Sequence, residues 1–135
     1  MKARLFFSAI FLALSLQIIA QFTVSTDQRQ DGMWDEENQE WTIISTDDDE
    51  MTFFEFNEEM TMFKHTTATI TSAYMIKSQT VDDTGNVYEF DVVSDVGNRY
   101  HMIIDLIEEY IRFVYERDGI SYLVQHRIKS SWTED

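Results

Sequence analysis

"DTGNVYEFDVVSDVGNRY", residues 83–100, carries one pattern twice: D-T-G-N-V-Y from Asp83 and D-V-G-N-R-Y from Asp95, twelve residues apart. In such a pattern Asp can cap a turn with its side chain, Gly supplies a positive φ without steric cost, Asn tolerates the exit, and Tyr opens the next strand. Between the two turns Tyr88, Phe90 and Val92 alternate with Glu89, Asp91 and Val93, the period of a strand with one apolar face. A strand bracketed by two equivalent turns is the repeating unit of an antiparallel meander. Asp118-Gly119 offers a third turn of the same chemistry, and with no proline the chain depends on Gly, Asp and Asn for its reversals.

Outward from this unit the same alternation predicts strands over 41–45, 51–56, 60–66, 70–80, 87–93, 100–105, 110–116 and 120–129. Short links between them imply antiparallel neighbours, so the fold class is all-β: an up-and-down meander of about eight strands. The segment 101–116 also fits an amphipathic helix with Ile104, Ile107, Ile111 and Val114 on one stripe. Its density of β-branched and aromatic residues, and the alternation of Tyr100, Met102 and Ile104 with His101, Ile103 and Asp105, favour two strands joined by a turn at 106–109.

Residues 1–20, "MKARLFFSAIFLALSLQIIA", place Lys2 and Arg4 before an apolar stretch that ends at small Ala20. This is the pattern of a secretory signal peptide cut near Ala20, and it is shorter than the roughly 20 apolar residues a membrane span needs. The expected localisation is therefore secreted or periplasmic, with no integral membrane span after the signal is removed. Residues 21–40 are mostly polar and acidic, with Phe22, Val24, Met33 and Trp34 as the sizeable apolar groups, and read as a lead-in or short edge strand. Residues 41–135 form the single expected barrel domain.

Removing 1–20, which holds two bases and no acid, takes the formal charge from -15 to -17. That charge repels nucleic acid and favours basic partners. Cysteine is absent, so neither disulfides nor thiolate ligands are available and stability must come from a hydrophobic core.

The acids of 46–65 raise the question of a cation site. Phe54 and Phe56 are followed by Asn57, Glu58 and Glu59 and then by a second run, which makes this a hairpin; Asp47, Asp48, Asp49 and Glu50 read as a turn at the other end of the 51–56 strand. The oxygen-ligand spacing of a calcium loop is missing. His65, His101 and His126 lie on three strands, with His126 on the side of Tyr122 and Val124 and His101 opposite Tyr100, so the three do not form one metal site. Glu58-Glu59 and Glu108-Glu109 are adjacent turn acids and not carboxylates facing across a cleft. No G-x-S-x-G, H-E-x-x-H or phosphate-cradling glycine loop occurs. The expectation is a protein with no catalytic residues, no metal and no cofactor.

The more apolar side of the runs gathers Phe54, Phe56, Ile70, Tyr74, Ile76, Tyr88, Phe90, Val92, Tyr100, Met102, Ile104, Ile111, Phe113, Tyr115, Ile120, Tyr122, Val124 and Ile128. An eight-stranded barrel has an interior wide enough for side chains or one small ligand. Phe54, Phe56, Tyr74, Tyr88, Phe90, Tyr100, Phe113 and Tyr122 are the candidate ligand-lining residues. The order of a leader, an early Gly32-Met33-Trp34, the phenylalanine-rich hairpin "MTFFEFNEEMTMF", then "ITSAYMIK" and further hairpins resembles small secreted bacterial lipocalin-like proteins over 34–129. The resemblance implies a barrel with an apolar pocket and assigns no particular binding residue. Two functions follow as expectations: a non-enzymatic carrier of a small apolar ligand, or an acidic protein-binding module or inhibitor of a basic envelope or extracellular enzyme.

Overall fold

A computed structural model describes residues 21–134, so the leader reading of 1–20 lies outside the described residues. Nine strands follow in order: β1 (Gln21–Asp35), β2 (Glu40–Asp47), β3 (Thr52–Phe56), β4 (Met62–Thr66), β5 (Thr71–Val81), β6 (Val87–Ser94), β7 (Arg99–Asp105), β8 (Tyr110–Arg117) and β9 (Ile120–Glu134). From β3 onward each strand pairs antiparallel with the next, and β9 pairs with β1, closing the sheet into a barrel. The all-β up-and-down barrel expected from the alternation is the observed fold.

The strand β1 corrects the reading of 21–40 as a lead-in. It pairs with β9 from Gln21↔Glu134 to Met33↔Tyr122, so one of its two edges is occupied over most of its length. Both β2 and β3 must therefore share the other edge: Asp35↔Glu40 to Arg29↔Asp47 for β2, then Thr26↔Thr52 to Phe22↔Phe56 for β3. They are two pieces of one stave running in the same direction. The acids of 47–50, expected to form a turn, accordingly do not reverse the chain; residues 48–51 are an unpaired insertion opposite Asp27 and Gln28. Gln28 holds this bulge through a 2.6 Å hydrogen bond to Asp48 Oδ1, and Asp47 Oδ1 accepts from the Asp49 amide at 3.0 Å. Eight staves result, with the turns 36–39, 67–70, 95–98 and 118–119 at one end, here the upper, and 57–61, 82–86 and 106–109 at the lower.

The turns show why the chain reverses where it does. Gly85 and Gly97, the glycines of the repeated pattern, have φ of 77° and 88°, which only a residue without Cβ adopts freely. The capping side chain is one place earlier than the repeat suggests: Asp82 Oδ1 accepts from the Asn86 and Val87 amides, and Ser94 Oγ from the Asn98 amide. Asp95 instead accepts from the Ala73 amide, tying its turn to the neighbouring strand. At Asp118-Gly119 both φ values are positive, 55° and 81°, the two-residue hairpin whose twist matches that of its strands. The turn at 106–109 is present as expected: Asp105 Oδ1 accepts from Ile107 and Glu108 amides at 3.0 and 2.9 Å, and Glu109 takes a φ of 66°. Asp35 builds the 36–39 turn in the same way.

The middle of the barrel is solid. Val24, Phe54, Phe56, Phe63, Phe90, Val92, Met102, Ile104, Ile111 and Phe113 pack together, each at 5% exposure or less. Phe56 and Phe63 lie 4.9 Å apart between ring centroids, and Phe54 and Phe113 6.0 Å. Each buried phenylalanine contributes about 2 to 3 kcal/mol by transfer from water, and in a chain without cysteine this burial is the main term set against conformational entropy. Ile70 and Ile120, placed on the apolar face by the sequence reading, are 62% and 42% exposed because they sit at strand ends beside the upper turns.

Candidate functional site

With the centre filled, the two mouths of the barrel are where its interior meets solvent. Of the eight candidate lining residues, Phe54, Phe56, Phe90 and Phe113 are part of the packed centre. Tyr88 is half-buried at the lower mouth, while Tyr74, Tyr100 and Tyr122 are half-buried toward the upper. The structure thus divides the expected set among three levels.

At the lower mouth a pocket of about 210 Å³ is lined by Phe22, Met60, Tyr88, Phe90, Ile104 and Leu106. Its floor is the buried pair Phe90 and Ile104; the other four side chains are half-buried and form the wall. Tyr88 stacks on Phe90 at 6.3 Å with 9° between ring planes, and Phe22 leans on Phe56 at 5.7 Å. Alternation along β6 brings Tyr88 and Phe90 to one face, as the sequence predicts. Phe22 was missed because β1 was not recognised as a stave, and Leu106 because it opens a turn. The positive φ of Met60, 57°, bends the 57–61 link at the pocket wall.

Toward the upper end the lining becomes polar. Tyr74, Tyr100, Tyr115 and Tyr122 touch in sequence across β5, β7, β8 and β9, at centroid separations of 6.2, 5.5 and 5.5 Å. Two histidines, His65 and His126, also face the interior. His65 stacks flat on Phe54 at 4.0 Å, and His126 meets His65 edge-on at 5.2 Å and Phe54 at 5.3 Å. The sequence separates the three histidines correctly for His101 but misses this pair. The signal was the period of two that puts His65 on the same face of β4 as the apolar Phe63.

Burial pushes the His65 imidazole down to about 4, with the Arg29 charge adding to it. Burial likewise brings His126 to about 3, helped by His65 and Arg29. Both rings are therefore neutral at pH 7. Glu50, carried inward by the 48–51 bulge, has Oε1 4.0 Å from His126 Nδ1; with a neutral ring this is no ion pair. Glu50 Oε1, His65 Nε2 and His126 Nδ1 are buried and hydrogen-bond to no described residue. Arg29 is held by Asp31 at 3.0 Å. Among the described residues no three His, Cys, Asp or Glu side chains are grouped so as to hold a metal ion.

His101 points outward and bridges Glu89 at 2.9 Å and Asp91 at 3.2 Å. Partial burial opposes its charge, but the hydrogen bonds and charges of Asp91 and Glu89 outweigh this and raise its pKa above 6.5. It borders an outer-wall cleft of about 420 Å³ with Lys77, Ser78, Asp91 and Arg99, a surface of mixed charge unlike the apolar lower mouth. No helix among the described residues is long and apolar enough to cross a membrane.

The geometry defines a closed, centrally packed up-and-down β-barrel with an apolar lower mouth and a polar upper end. Compared with protein-family models, curated proteins and solved structures, the chain matches none.

Proposed function

We propose that this is an exported, non-enzymatic lipocalin-like barrel that binds a small apolar ligand at its lower mouth. The observation that carries this reading is the pocket walled by Phe22, Met60, Tyr88 and Leu106 over a floor of Phe90 and Ile104. Polar orienting groups are few there: the Tyr88 hydroxyl is the one side-chain donor among the six. At about 210 Å³ the pocket falls below the roughly 300 to 1,000 Å³ of drug-sized sites, which favours a compact ligand such as a single ring or a short branched chain. The leader-like character of 1–20 supports export, and the acidic surface supports solubility.

The test is native mass spectrometry of the protein recovered from cells exporting it, compared with the denatured mass. A discrete small mass lost on denaturation, and lost also in Leu106→Trp at unchanged thermal stability, is the expected result. Equal native and denatured masses, together with no uptake of small aromatic or branched aliphatic probes, would sink the proposal.

A further inference from the structure

Barrel closure removes edges, but one strand here keeps its own. Among the described residues β2 pairs with β1 alone, and β3, which continues its stave, is the piece that meets β4. In an antiparallel strand every second residue turns its N–H and C=O away from its partner. The far side of Glu40–Asp47 therefore presents unpaired backbone donors and acceptors over an eight-residue strand. All of it except Trp41 is exposed, including Ile43 at 39% and Ile44 at 60%. A strand edge of this length with neighbouring isoleucines is a template for a further strand.

Charge decides which strand. Residues 35–50 contain eight acids and neither Lys nor Arg. Arg29 on the paired strand β1 and Arg127 on β9 beyond it are engaged: Arg29 with Asp31 at 3.0 Å and Arg127 with Asp27 at 2.9 Å. Pairing this edge with the same edge of a second copy would bring the two acidic sets together, which like-charge repulsion disfavours. A strand bearing lysine or arginine meets complementary charge at both ends of β2, where Glu40 and Asp47 flank the apolar pair.

We infer that the free edge of β2 receives an extended, basic segment of a partner polypeptide, which adds to the sheet as a strand. Main-chain hydrogen bonds to β2 supply affinity, and the acids at its ends and in the 48–51 bulge select for basic side chains. This surface belongs to the hairpin of the upper end and is separate from the apolar lower mouth, so either can fail without the other.

The experiment uses the full chain and a short end-blocked peptide alternating lysine with valine. Binding is read by fluorescence anisotropy, and the location by amide hydrogen exchange. The expected result is slowed exchange within 40–47 on adding peptide and affinity that falls with salt. D47N/D48N/D49N should weaken binding about tenfold, a loss typical of charge contacts. A peptide of the same charge with alternate backbone nitrogens methylated should also lose at least about tenfold in affinity, because strand addition needs those N–H groups. Equal binding of the methylated peptide, or protection anywhere but 40–47, overturns the inference. So does protection, before any peptide is added, of those 40–47 amides that β1 does not pair, since the edge would then be covered by the chain itself or by a second copy.

Discussion

Lowering the pH from 6.5 to 4.5 should remove several kcal/mol of stability from this barrel through two histidines, on the order of 2 kcal/mol for each. His65 and His126 titrate near 4 and 3 in the folded protein, mainly because burial disfavours their charged forms, against 6.5 when unfolded. Below pH 6.5 the unfolded chain therefore takes up protons that the folded chain refuses. Stability from these groups is complete above 6.5 and is lost as pH falls through the window down to about 4 and 3. The slope approaches about 1.4 kcal/mol per pH unit for each ring only well below 6.5, so two units cost roughly 2 kcal/mol per histidine and about 4 kcal/mol together. That approaches the lower end of the whole stability of many domains, about 5 to 15 kcal/mol. Urea unfolding at intervals across this range, followed by the fluorescence of the three tryptophans, gives the slope. Relief of repulsion among the surface carboxylates opposes it, equally in wild type and variant. His126→Leu, close in volume, removes one ring and should reduce the pH-dependent loss by about 2 kcal/mol at pH 4.5 relative to wild type. Parallel pH profiles for the two proteins, or a His126 resonance titrating near 6.5, would refute the reasoning.

The outward His101 has the opposite sign. Its raised pKa gives stability that is fully present below 6.5 and lost as pH rises through the folded value, so His101→Gln should be less stable than wild type at pH 5.5 and nearly equal to it at pH 9. Solvent screening keeps this difference within about 1 kcal/mol, measured by the same urea series. At the hairpin between β8 and β9, Gly119→Val should cost roughly 1 to 2 kcal/mol, because φ there is 81° and a β-branched residue resists it; the site has no atom within 4 Å of an added Cβ, so crowding would not account for the loss. A thermal midpoint unchanged by this substitution would contradict the conformational argument.

Much of the barrel was legible because its signals are local. Tyr88, Phe90 and Val92 on one face of β6, and Tyr100, Met102 and Ile104 on one face of β7, follow from a period of two that needs no knowledge of the neighbours. Gly85, Gly97 and Asp118-Gly119 announce reversals because φ above zero is a property of the residue itself. The 106–109 turn was readable from the break in alternation after Asp105, although its positive φ falls on Glu109 and not on a glycine.

Residues 21–35 were opaque for a related reason. Phe22 and Val24 face the packed centre, but farther along β1 pairs Arg29 with His126 and Asp31 with Val124, so its upper half is polar on the inward face as well. Alternation of hydrophobicity vanishes where the barrel interior is itself polar, and a stave then resembles a loop. The functional surfaces lie in the same blind spot. Phe22 reaches Leu106 across the lower mouth, and His65 reaches His126, only through strands whose partners are far along the chain.

The sequence by itself determined the strands, their apolar faces and most of their turns, since side-chain period and backbone φ are set residue by residue. Only the tertiary structure decided that β1 closes the barrel against β9, that β2 and β3 form one stave, and that β2 keeps an open edge. Those choices belong to backbone hydrogen bonds, which every non-proline residue can make and which therefore carry no mark of their partner in the sequence.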